Sequence, residues 1–162
     1  MLIILPPSET KAAGGDGSPL DFTTLSFPML NPTRADIASD LIRLPMSEVL
    51  GVLGVSAKQQ KLAECNKVLM SSPTLPALLR FTGVLYDALS APTLSPAAWR
   101  RLAVGDALFG LLMASDRIPM YRLSGNTKLP RPDGTTPTMK SRWGKEISAA
   151  LATVDEFIVD LR

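Results

Sequence analysis

The chain contains no histidine and a single cysteine, Cys65. The first absence removes Ser-His-Asp and Cys-His nucleophilic catalysis from within the chain. It also removes His-based zinc and non-haem iron sites. The lone cysteine excludes an intramolecular disulfide and a Cys-based cluster. Any metal would have to be a hard cation on carboxylates and carbonyls, and the residues point to no metal and no cofactor. Long apolar runs are missing too. Met1 to Leu5 are apolar, but the run stops at Pro6-Pro7, too short for a signal segment or a membrane span. A reducing cytoplasm is the compartment expected, with no membrane partner. Charge imbalance is slight: 17 basic against 15 acidic residues leave a net charge of +2. Nucleic-acid affinity would therefore have to come from a local patch.

What is present fits one globular domain over residues 1–162, with 46% apolar and 20% charged residues. Leu2 to Leu5 read as a short buried strand that two prolines stop. A helix is predicted from about Thr33 to Leu44, where Pro45 ends it. Ser47 is expected to cap a short helix, Glu48 to Leu53, and Ser56 a second, Ala57 to Met70. Pro73 and Pro76 open a helix toward Arg80. Ser95 caps a helix through Leu102, and a further helical stretch is predicted to Leu112. Ser124 to Met139 reads as a long surface loop, Arg142 to Ala152 as a helix, and Phe157 to Leu161 as a second β-type run. These elements predict an α+β fold: a mixed sheet with several short helices, one pair joined by a glycine turn in a helix-hairpin-helix-like way. A strand at the last residues is either paired inside the sheet or the edge of a longer protein.

Four groups of residues could carry chemistry. Asp116, Arg117, Tyr121 and Arg122 follow the apolar run Leu108 to Ala114, which is expected to be a helix end. Arginine keeps its charge and offers a planar fork of donors, suited to phosphate or carboxylate. The alternative is a structural Asp116–Arg ion pair at a loop. Ser8, Glu9, Thr10 and Lys11 sit on the loop after the first strand, where α/β sheets often face a ligand. Glu9 would be a general base and Lys11 an anion contact, or the segment is a hydroxyl turn with two solvated charges. Arg80, Thr82, Gly83 and Tyr86 combine cation, hydroxyl, tight turn and phenol; the plain alternative is a helix and turn with the aromatics in the core. Gly51 to Ser56, followed by Lys58 and Lys61, is either an ordinary helix–helix turn or a hairpin that offers backbone N–H groups to a DNA phosphate.

Met1-Leu-Ile-Ile-Leu-Pro-Pro-Ser-Glu-Thr-Lys11, Phe81-Thr-Gly-Val-Leu-Tyr86, Leu108-Phe-Gly-Leu-Leu112, Asp116, Tyr121-Arg-Leu123 and Trp143-Gly144 occur in the order and spacing of one family. Over essentially its whole length the chain resembles the YaaA family of peroxide-stress proteins, whose members are about half as long again. The resemblance implies that residues 1–162 are the N-terminal part of a longer domain. It implies a cytoplasmic protein that limits hydrogen-peroxide damage, associated with lowering free iron and with binding double-stranded DNA in a basic cleft. No reaction is established for the family. Its helix-hairpin-helix would map near Ser56 to Lys67. The better-known branch has a lysine where Glu9 stands and Arg-Pro where Met113-Ala114 stand, so this chain carries less positive charge there.

The leading expectation is a non-enzymatic stress protein that contacts DNA phosphates through Lys11, Lys58, Lys61, Arg80, Arg117 and Arg122. Ser8, Glu9, Thr10, Thr82, Gly83, Tyr86, Asp116 and Tyr121 would line the cleft. The rival is a small-anion binder, or an enzyme, built on Glu9, Asp116, Tyr121 and Arg122. A strong iron site is not expected, because the carboxylates do not cluster at ligand spacing.

Overall fold

The computed structural model describes residues 1–56 and 63–162. The apolar run Leu2–Leu5 forms strand β1, in the middle of a four-stranded sheet. Its neighbours are β3 (Leu102–Asp106) and β6 (Ile158–Asp160), both parallel to it. Strand β4 (Gly110–Met113) runs antiparallel to β3 on the far side. The order is β4-β3-β1-β6, a mixed sheet, and the fold is α+β. Ile3 sits opposite Leu102 on one side and Val159 on the other. β3 is buried at every position, and the buried side chains of β1 are Leu2, Ile4 and Leu5. Continuous burial of this kind is why these segments show no alternation in sequence.

Helix α1 (Asn31–Arg43) starts with Pro32 in its first turn and buries Ile37, Ala38 and Leu41. Leu44, extended before Pro45, ends it, and α2 (Met46–Leu53) follows. Ser47 is not the cap of α2: Pro45 holds that position, with no side-chain cap. Gly54, at φ +62, closes α2 in the left-handed conformation that glycine tolerates. Of the helix predicted over Ala57 to Met70, residues 57–62 lie outside the described residues, and the chain beyond them forms a 3-10 turn, Cys65–Val68. The helix-hairpin-helix pair falls on the same gap.

A two-residue strand β2 (Leu75–Pro76) pairs with β5 (Arg117–Ile118) and leads into α3 (Ala77–Arg80). Gly83, at φ +100, starts α4 (Val84–Leu89). Ser95 caps α5 (Pro96–Trp99) as expected, its hydroxyl accepting from the Ala98 N–H at 3.2 Å. The helix predicted onward to Leu112 does not exist. Residues 102–113 form β3 and β4 instead, joined by a turn in which Asp106 Oδ1 accepts from the N–H groups of Leu108 (2.8 Å) and Phe109 (2.9 Å). The run Leu108 to Ala114 is therefore turn and strand, not a helix end. Burial of both faces outweighed helix propensity there.

The helix predicted over Arg142 to Ala152 is two helices, α6 (Met139–Trp143) and α7 (Glu146–Leu151). Gly144, at φ +49, breaks them apart. The two pack near the sheet's far edge, where the Trp143 ring lies over Gly110. A Cβ on Gly110 would stand 2.8 Å from that ring, so glycine is required by contact as well as by its φ of +72.

Candidate functional site

The three parallel strands end on the same side of the sheet, with β1 between its two neighbours. Ligands of α/β sheets are commonly taken at such strand ends. Here a cavity of about 300 Å³ opens at that position. The loop after β1 gives it Pro7, Ser8 and Glu9; the end of β3 gives Gly105 and Asp106; α6 and α7 give Lys140, Trp143 and Ile147. Arg162 lies across Gly105, where a Cβ would stand 2.2 Å from its Cδ. One wall is thus apolar and the other carries both signs of charge.

The loop holding Ser8 to Lys11 is fixed by hydroxyls. Ser8 Oγ and Thr10 Oγ1 lie 3.1 Å apart, and Thr10 Oγ1 donates to the Thr82 carbonyl at 3.1 Å. Gly83 fits beside them because it has no side chain; a Cβ would stand 3.2 Å from Thr10 Oγ1. Tyr86 donates its hydroxyl to the Pro6 carbonyl at 2.7 Å. The structure therefore brings Ser8, Thr10, Thr82, Gly83 and Tyr86 together around one loop, with Tyr86 as a brace.

Lys11 reaches inward. Its ammonium donates to the Ser8 carbonyl at 3.0 Å and sits over two rings, 4.3 Å from the centre of Tyr121 and 5.1 Å from that of Phe81. Burial pushes its pKa down, while Asp106 and Glu9 oppose that shift. Tyr121 is buried, edge-on to Phe109, and its hydroxyl donates to Asp106 Oδ2. Burial first, and then Asp106, hold the Tyr121 phenol well above its ordinary pKa. Tyr121 thus sits behind the cavity and not on its surface.

Arg122 meets Glu9 at the edge of this cavity and is not itself part of the cavity's lining. Its Nη1 lies 2.5 Å from Glu9 Oε2 and donates to the Glu9 carbonyl at 3.1 Å. The Arg122 side chain is 19% exposed and that of Glu9 is 54% exposed. Arg122 Nε is buried with no acceptor among the described residues. An unpaired buried donor is costly, and a guanidinium in this setting favours an acceptor.

The other expected cations separate from this group. Arg80 is fully buried, and its guanidinium donates to the carbonyls of Ala12, Gly14 and Ile118. It is a clamp on the backbone and cannot reach a DNA phosphate. Arg117 pairs with Asp16 and donates to the Thr74 carbonyl at 3.3 Å. Asp116 takes no part in the Glu9 cluster. Its carboxylate accepts from the Ser26 N–H (3.1 Å) and hydroxyl (2.8 Å) and from the Met113 N–H (2.9 Å). Asp116 and Arg117 line a different cavity, of about 570 Å³, with Ser18, Ser26 and Thr74. Burial raises the Asp116 pKa, and those hydrogen bonds lower it in part. Lys58 and Lys61 lie outside the described residues.

Two residues at the centre of this arrangement escaped the sequence reading. Asp106 was hidden because its strand read as helix. Arg34 is fully buried and donates to the carbonyls of Ser26, Phe109 and Leu111 at 2.6–2.9 Å. Burial lowers its pKa to about 10. A signal for Arg34 did exist: with Ile37, Ala38 and Leu41 it occupies one helical stripe, at the spacing of an inward face.

A model of the family described as "Peroxide stress protein YaaA" matches residues 1–162. The chain belongs to this family. Among the YaaA relatives, a UPF0246 protein of Corynebacterium efficiens is 60% identical over all 162 residues. A UPF0246 protein of Corynebacterium glutamicum is 57% identical over the same span, and one of Streptomyces coelicolor is 37% identical over 171 aligned residues. The chain spans 66% of the length of the two corynebacterial relatives and 64% of the streptomycete one. Among the described residues no three His, Cys, Asp or Glu side chains converge as metal ligands, and no helix is long and apolar enough to cross a membrane.

Proposed function

We propose that this chain is part of a cytoplasmic peroxide-stress protein whose working site is the strand-end crevice. The site takes a small anion at the edge where Glu9 meets Arg122, and Arg122 is the charge that attracts it. The observation that carries this reading is the Arg122 guanidinium: mostly desolvated, held on one nitrogen by Glu9, and without an acceptor at Nε among the described residues. Lys11 adds a second positive charge behind the same loop. The apolar wall of Trp143 and Ile147 suits a ligand with a carbon body and an anionic head. If the site supports a reaction, Glu9 is the exposed carboxylate placed to move a proton. Calorimetric titration with inorganic phosphate, pyrophosphate and short carboxylates tests the reading. Binding to the wild type and its loss in Arg122→Gln is the expected result; silence with every anion would remove it.

Contact with double-stranded DNA is the second reading, favoured by one observation. The carboxylate partners of Arg117 and Arg122 stand on exposed loops, Asp16 at 82% and Glu9 at 54% exposure, where backbone phosphates could replace them. Lys58 and Lys61 would extend that charge. Binding would be nearly indifferent to sequence and fall steeply with salt, because phosphate contacts release condensed counterions. Fluorescence anisotropy of a labelled duplex across a salt series separates the two readings: a flat slope rules out DNA. Lowering of free iron is then an indirect effect, and an iron titration that finds a submicromolar site would contradict it.

A further inference from the structure

We infer that Arg162 holds the head group of a ligand inside the strand-end crevice, and that the ligand is an organic anion: a carboxylate or phosphate ester on an apolar body. This role rests on the anion reading of the crevice, and it supplies the contact within the cavity that Arg122, at the edge, does not make. Arg162 lines the cavity with Lys140, and Trp143 and Ile147 line the same space. The Leu161 N–H donates to the Ile4 carbonyl at 2.9 Å, which carries the chain after β6 along the end of β1. From there the Arg162 side chain crosses β1 and lies on Gly105 of β3. The three atoms nearest to the place of a Gly105 Cβ all belong to Arg162: Cδ, in collision, then Nη1 at 3.1 Å and Nε at 3.2 Å. Gly105 has no left-handed backbone that calls for glycine, so what its missing side chain provides is the room for this guanidinium.

The guanidinium is already oriented. Its Nε donates to Asp160 Oδ1 at 2.9 Å and its Nη2 to Asp160 Oδ2 at 2.7 Å, a bidentate grip that fixes the plane. Nη1 has no partner among the described residues, and the side chain is 31% exposed. The two carboxylates that line the crevice are engaged elsewhere: Asp106 accepts from Leu108, Phe109 and Tyr121, and Glu9 pairs with Arg122. Nη1 is thus the donor left for a ligand oxygen, and Lys140 adds charge beside it. A bare ion would leave the Trp143 and Ile147 wall in water. An anion with an apolar body covers that wall while its head reaches Arg162.

The test is calorimetry with phenyl phosphate, benzoate and inorganic phosphate on the wild type, Arg162→Gln and Gly105→Ala. Both variants should bind phenyl phosphate and benzoate about tenfold more weakly, the loss of one charge-assisted hydrogen bond. Gly105→Ala keeps the charge and pushes it off its place, so a loss there separates a held head group from long-range attraction. The double variant Gly105→Ala/Arg162→Gln should lose no more than either alone. Should Gly105→Ala fail to fold, the NMR signal of the Trp143 indole N–H decides with Arg162→Gln alone. It shifts on phenyl phosphate addition, and the variant needs about tenfold more ligand. Unchanged affinity in Arg162→Gln, with binding still lost in Arg122→Gln, overturns the role of Arg162 and leaves the anion site standing. Inorganic phosphate bound as tightly as phenyl phosphate overturns the organic class. No binding of any anion to the wild type overturns both the role and the site.

Discussion

Asp40 Oδ2 and Arg142 Nη2 lie 2.5 Å apart, with only 1% of either side chain exposed. The pair joins α1 to α6. Asp36 accepts from Arg142 at 2.8 Å and from Arg131 at 3.2 Å, and Arg43 closes on Asp40 at 3.0 Å. This network ties the loop before α6, and α6 itself, to the first helix. Arg142 Nε and Nη1 are buried without acceptors among the described residues, so its charge already depends heavily on the two aspartates. Removing Asp40, the buried partner, leaves the Arg142 charge to the half-exposed Asp36 alone. Asp40→Ala should therefore lower stability by about 2–3 kcal/mol, below the roughly 3–5 kcal/mol of a fully stranded buried charge, read from urea unfolding. A loss below about 1 kcal/mol would mean that water already reaches the pair.

Arg80 and Arg122 should respond oppositely to neutral replacement. Arg80 binds only backbone carbonyls, and its charge-assisted hydrogen bonds are each worth about 1.5–3 kcal/mol. Arg80→Met should cost several of these and unfold at clearly lower urea, yet folded Arg80→Met should bind phosphate and duplex like the wild type. A selective loss of anion affinity, with stability intact, would refute the backbone-clamp role.

Lys11 makes a pH-dependent prediction. Burial sets its folded pKa below the ordinary 10.5, so between those two values the unfolded chain binds more protons than the folded one. Its contribution to stability therefore rises with pH across that window, and its penalty is full below it. Lys11→Met should gain most over the wild type at pH 7 and lose that advantage toward pH 10. Cys65 works in the opposite sense, since burial pushes its thiol from 9.0 up to about 11. Both proteins are therefore compared in a Cys65→Ser background. A stability gap equal at both pH values would show that Lys11 keeps its ordinary titration.

The parts of this fold that were legible in the sequence are those written in local chemistry. Pro6 and Pro7 stop β1, Pro32 and Pro45 bracket α1, and Ser95 caps α5 because its side chain bonds the very next turn. The strands β3 and β4 were not legible: Leu102 to Gly105 carries no polar side chain and no alternation, and only its pairing with β1 decides between strand and helix. The site divides in the same way. Ser8 to Lys11 was found because it follows a strand and two prolines. The cluster proposed for Asp116 with Arg122 failed because closeness in sequence does not survive the turn at Ala114 and Ser115 and the strand β5 that follows: Asp116 faces Ser26, and Arg122 faces Glu9. Arg80 was misread because sequence shows a charge and hides the carbonyls around it.

The packing of Trp143 on Gly110 bears on how fast and how uniformly a ligand is held. The ring also donates to the Ala107 carbonyl at 2.9 Å, so one hydrogen bond and one close packing contact with the β3–β4 hairpin set the position of the apolar wall. That wall needs no ordering when a molecule arrives, and the entropic cost of association falls mainly on the half-exposed Glu9 side chain. Recognition here is rigid on its carbon side and adjustable on its charged side, so ligands that differ in their bodies should be sorted by shape, and those that differ in their head groups by charge.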